Sequence, residues 1–157
     1  MTDYLSDEVY LPQYAKKRLR VGAIVIDYII LFAANGILDW SFGQSYTTND
    51  GVFHFYTEGY SVLANLGIWF ALFPLIEGLT GQTLGKKIVG IKVIKEDFSS
   101  TTFGNSLVRH LFDFVDYLPF LGILGLIVSS SNLKSQRVGD LVAKTIVVYK
   151  DDRQQSL

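Results

Sequence analysis

Between Val21 and Gly85 the chain carries no lysine and no arginine, although 14 of its 157 residues are one or the other. Lys16, Lys17, Arg18 and Arg20 close one end of that interval, and Lys86 and Lys87 close the other. Inside it lie two apolar stretches, residues 21–38 and 60–76, each about the length that crosses a bilayer core. The segment joining them, DWSFGQSYTTNDGVFHFYTEG, is polar, aromatic and free of positive charge. Cations at both outer ends, with none in the connecting loop, form the positive-inside pattern of a helical hairpin whose N-terminus is cytoplasmic. Trp40, Phe42, Tyr46, Phe53, Phe55 and Tyr56 suit an aromatic belt on the outer side. A soluble domain has no reason to empty so long an interval of cations. A signal peptide fits poorly: its positive cluster would begin only at Lys16, Asp27 interrupts its apolar core, and no small-residue cleavage site follows. The first stretch is therefore expected to be a retained helix.

Composition agrees. The chain is 49% hydrophobic and 14% aromatic, with a mean hydropathy of +0.28. Charged residues make up 18%, below the roughly 25% of soluble domains. A net charge of −1 gives no electrostatic footprint for nucleic acid, so none is expected as a partner. The absence of cysteine removes disulfide scaffolds, thiolate metal sites and a cysteine nucleophile together.

The expected organisation is a polar cytoplasmic tail over residues 1–13, one membrane domain over 14–150 with an outer loop at about 41–58, and a short tail over 151–157. The fold class is an α-helical membrane protein: two transmembrane helices, a bent helix or short helical hairpin, and a small two-stranded cytoplasmic β element. The first helix is expected at about 14–38 and the second at about 58–79, with Pro74 placed to kink it. KIVGIKVI is β-branched, partly alternating and bounded by turn residues, so it reads as a strand. KTIVVYK is a second such run, and the two would pair, since a lone strand leaves its backbone groups unsatisfied. Two alternatives stand for residues 103–133. Either one bent span crosses from about Phe103 to Val128, or a shallow hairpin returns to the cytoplasm. The five cations from Lys134 to Arg153 favour the return.

Motifs of catalysis are missing. GQTLGKK has three residues, not four, before its Gly-Lys pair, and Lys87 stands where a phosphate loop needs Ser or Thr. His54 and His110 lack ligand spacing to any other histidine, so no metal site is expected. No nucleophile elbow surrounds a serine. No enzyme and no cofactor are expected.

What the sequence offers instead is a set of couples. Arg20 and Asp27 are seven residues apart, on nearly one helix face and about 10 Å apart along its axis. Arg109 and Asp116 repeat that spacing, with Asp113 four residues after the arginine, and Arg137 and Asp140 form a third couple. Glu77, near the inner end of the second apolar stretch, is a further acid. A lone carboxylate at bilayer depth costs several kcal/mol, so it finds a partner or a wet cavity. Cross-helix pairing is expected, for instance Asp27 with Arg109 or Arg20 with Asp116. Two readings stand: structural ion pairs that fix packing, or an ion and proton site.

RVGAIVID, then GQTLGKKIVGIKVI, RHLFDFVDYLP and QRVGDLVAKTIVVY, in that order over roughly residues 14–150, closely resemble the RDD family of small bacterial membrane proteins. By position Arg20 resembles the family arginine, and Asp27, Asp116 and Asp140 match acidic positions of its pattern. Gly85, Lys86, Thr145 and Arg137 also match family positions. The resemblance implies a multi-pass protein of the bacterial cytoplasmic (inner) membrane with its termini inside. Sodium or lithium ion/proton antiport is associated with some members. One expected function is therefore exchange of Na⁺ or Li⁺ for H⁺, with Asp27 and Asp116 binding the ions and Arg20 and Arg109 tuning them. The other is a non-transporting scaffold or accessory subunit, binding a protein or lipid partner, with Lys16, Lys17, Arg18 and Arg20 facing anionic membrane lipid. Three or four short helices leave little room for alternating access without a homo-oligomer.

Overall fold

The computed structural model describes residues 12–42, 44–47, 49, 51, 53–56, 59–117, 128–130 and 134–150, with the backbone alone for 44–47, 53–56, 59–61 and 114–117. Helix α1 spans Lys17–Phe42. It starts later than the sequence suggests because Tyr14 bridges Val148 and the Ala15 N–H donates to the Val147 carbonyl at 2.9 Å, which joins these residues to a sheet. It runs past Leu38 to Phe42, with no proline on the way. The segment between the two apolar stretches holds an unanticipated hairpin, β1 (Gln44–Thr47) and β2 (Phe53–Tyr56), paired antiparallel from Gln44↔Tyr56 to Thr47↔Phe53. Its signal lay in β-branched and aromatic residues on both sides of an Asn-Asp-Gly turn.

The second rod is continuous. Helix α2 (Gly59–Phe70) passes through one π-helical turn, Ala71–Leu75, into α3 (Ile76–Thr80). Pro74 sits in that turn. Proline lacks an N–H and collides with the preceding turn of a regular helix, and a wider turn relieves both conflicts. The rods contact where the Tyr28 and Phe73 rings lie 6.0 Å apart.

Next comes a short helix, α4 (Leu84–Ile88), and then strand β3 (Ile91–Lys95). The expected strand KIVGIKVI is thus strand only from Ile91 on, its Lys87 and Ile88 closing α4. The Thr83 hydroxyl accepts from the Lys86 N–H and caps α4, and Gly90, at φ 72°, turns the chain into β3. Helix α5 (Phe103–Tyr117) and short helix α6 (Val138–Val142) precede β4 (Thr145–Tyr149). Strands β3 and β4 pair antiparallel from Ile91↔Tyr149 to Lys95↔Thr145, as the two β-branched runs suggest. One face of this sheet packs Ile91, Val93 and Val147 on Ala15, just before α1, and on Ala23 within it. The choice between a bent span and a hairpin rests on residues 118–127, outside the described ones.

Two helical rods, Lys17–Phe42 and Val62–Thr80, are long and apolar enough to cross a membrane, and only 17% of each apolar window is buried. Ile29 is 62% and Phe32 70% exposed. A core helix of a soluble protein would be mostly covered, whereas faces of this extent call for lipid or a partner.

Candidate functional site

At the end of the rods nearest the β3–β4 sheet, buried charges from five elements meet. Glu77 of α3 is fully buried. Its Oε1 lies 3.0 Å from Arg109 Nε and 3.4 Å from His110 Nε2, and the Ser106 hydroxyl donates to it at 3.3 Å. Its Oε2 takes the Lys86 ammonium from α4. Arg109 is 1% exposed and reaches a second acid, its Nη1 standing 2.7 Å from Asp140 Oδ1 and donating to Thr145 Oγ1 at 2.9 Å. Asp140 in turn meets Arg20 Nη1 at 3.4 Å. The Arg20 guanidinium also donates to three carbonyls, those of Ser135 at 2.5 Å, Lys134 at 3.3 Å and Val147 at 3.2 Å. A side branch runs from Glu77 through His110 to Asp113, 2.8 Å from His110 Nδ1, and on to Arg137 at 3.2 Å.

Local sequence makes this convergence possible. Gly139 lets α6 approach α5 closely; a Cβ there would stand 2.8 Å from the Arg109 carbonyl. Asp140 caps its own helix, accepting from the Arg137 N–H at 3.1 Å with Oδ2, which holds its carboxylate toward Arg20 and Arg109. Charges so far from water are tolerated only when each is compensated, and removing one partner of such a pair costs about 3–5 kcal/mol.

Asp27 stands apart. It is 6% exposed. Its carboxylate accepts from the Thr83 hydroxyl at 2.5 Å and from the Gly85 N–H at 2.6 Å. A Cβ on Gly85 would lie 2.2 Å from the Ala23 carbonyl oxygen and 2.8 Å from Asp27 Cγ. Gly85 is thus where α4 can touch α1, and Asp27 is the clamp.

These contacts correct the expected pairings. Asp27 does not meet Arg109, and Arg20 pairs with Asp140. The Asp116 side chain lies outside the described ones. The Arg109 guanidinium turns to Glu77 and Asp140 and the Arg137 guanidinium to Asp113, while Arg137 and Asp140 meet through the Arg137 backbone N–H. On a helix, neighbours in sequence compete with nearer groups on packed elements, and those won. Sequence reasoning missed the acceptor role of Glu77 for three cationic groups, the position of His110 between two acids, and Thr83. Two signals were available: Asp113 lies three residues after His110, one helical turn on, and Thr83 sits at an N-cap position. Among the described residues, no three of His, Cys, Asp and Glu stand together as metal ligands.

Two rods long and apolar enough to cross a membrane, with a buried arginine–carboxylate cluster at one end, define a mostly helical protein with two candidate membrane spans. The chain belongs to the RDD family, whose model matches residues 14–144. It is similar to the uncharacterized membrane protein YteJ of Bacillus subtilis (strain 168), with 30% identity over 150 residues that cover 91% of this chain and 85% of that protein. No solved structure matches it.

Proposed function

We propose that this RDD protein is a non-transporting scaffold or accessory subunit of the bacterial cytoplasmic membrane, multi-pass and with a cytoplasmic N-terminus. Its charge cluster clasps the β3–β4 sheet to the inner ends of the spans. The exposed apolar faces of the rods and the Lys16–Lys17–Arg18 segment would meet lipid or a membrane partner. One observation carries this: Glu77, Asp113 and Asp140 each already hold at least one arginine or lysine, so none of them offers a bare carboxylate to Na⁺ or Li⁺. No catalytic role is assigned to any residue.

A second proposal, exchange of Na⁺ or Li⁺ for H⁺, is favoured by Asp27, which neutral donors alone hold among the described residues. The exchanging carboxylate would then be Asp27, not the cluster. Cation-driven proton flux in proteoliposomes separates the two. The scaffold proposal expects no flux from wild-type protein. Flux that is present in wild type and abolished in Asp27→Asn would overturn it in favour of exchange.

A further inference from the structure

A small cavity lies inside the cluster, between α1, α4, α5, α6 and β4. It holds about 20 Å³, room for one water-sized particle. Its wall carries Arg20, Lys86, Arg109 and Arg137 but a single carboxylate, Asp140; Ile24 and Val147 complete it. We propose that this cavity binds one small monovalent anion of the size of chloride.

Three observations converge. First, charge: among the described residues the wall carries four cations and one carboxylate. Asp27 does not line the cavity and is engaged by Thr83 and Gly85. Second, donors: Arg20 Nε is buried without an acceptor among the described residues. Lys86, 7% exposed, has three N–H donors and among the described residues gives one to Glu77. Third, the acid present is spent, since Asp140 already holds Arg20 and Arg109. A water could accept hydrogen bonds here but brings no charge to set against four cations and one carboxylate. A cation is repelled by the wall.

The proposal goes beyond the clasp and holds whether or not the protein transports. Its test is thermal unfolding of the full chain in detergent, in sodium chloride against sodium gluconate at equal Na⁺ concentration. An anion that binds only the folded state stabilises it by mass action, so Tm should rise saturably by a few degrees in chloride and in bromide but not in gluconate. Val147→Leu, which fills the cavity, should abolish the difference. Equal Tm in the two salts overturns the proposal, and so does a chloride effect that survives Val147→Leu. Should that variant not fold, ³⁵Cl line broadening on wild-type protein decides. Broadening that bromide displaces supports the site, and its absence overturns it.

Discussion

The Gly85 N–H donates to the Asp27 carboxylate at 2.6 Å across 58 residues of sequence, and the same glycine has no room for a methyl group. Gly85→Ala would drive a Cβ to 2.2 Å from the Ala23 carbonyl oxygen, backbone that cannot swing aside. The variant should lose about 1–3 kcal/mol of stability, read as a lower Tm in detergent. Gly22, around which a Cβ meets nothing within 4 Å, is the control: Gly22→Ala should hold or raise Tm. Equal effects of the two would refute the close packing of α4 on α1.

Arg109 bridges Glu77 and Asp140, so the three should behave as one unit. Glu77→Gln and Arg109→Met each leave a buried charge uncompensated and should cost about 3–5 kcal/mol. The double variant removes both halves of the pair and should cost clearly less than the sum, by about 1–3 kcal/mol, because contacting residues couple. Additive losses in a double-mutant cycle would show that the pair is not formed.

Much of the fold was legible because a membrane imposes few choices. The cation-free interval placed both rods, and β-branched runs placed the two sheet strands. The α4 helix that runs into KIVGIKVI was hidden because its cause is Thr83, seven residues before the Gly90 turn, competing with the β-branched residues beyond. The site was half legible. Arg20, Asp27, Glu77, Arg109, Asp113, Arg137 and Asp140 stand out as charges in an apolar chain, but which meets which depends on helix rotation and on glycines that admit close approach. Spacing on one helix says nothing about a neighbour such as Glu77, 32 residues before Arg109 in the chain and 3.0 Å away in space.

Arg20 serves the clasp through its shape as much as its charge. Its planar fork reaches Asp140 and the carbonyls of Lys134, Ser135 and Val147 at once, which a compact ammonium cannot do. Arg20→Lys keeps the charge yet strands buried carbonyls, at about 1–3 kcal/mol for unsatisfied groups. Expected results are a lower Tm and faster hydrogen exchange at the amides of β4, with β1 and β2 unaffected. If Arg20→Lys matches wild type in both, charge alone suffices and the carbonyl contacts contribute nothing.

Beyond the end of β3, Glu96 ties the sheet to the chain leading into α6. Its Oε1 accepts from Gln136 Nε2 at 2.9 Å and from Lys134 Nζ at 3.0 Å. Those hydrogen bonds, Gln136's first and then Lys134's, hold its carboxyl below the ordinary glutamate value. A carboxyl lowered in the folded state stabilises it at pH above the unfolded value, about 4.3, and that contribution disappears as pH falls through the lower folded midpoint. Because Glu96 is exposed, the effect is small and screened by salt. The side-chain carboxyl resonance of Glu96 should therefore titrate in wild type with a midpoint below the unfolded reference of about 4.3. Lys134→Met should move that midpoint up part of the way, because Gln136 remains. An ordinary midpoint in wild type, or no movement in Lys134→Met, would mean that these contacts do not persist in solution.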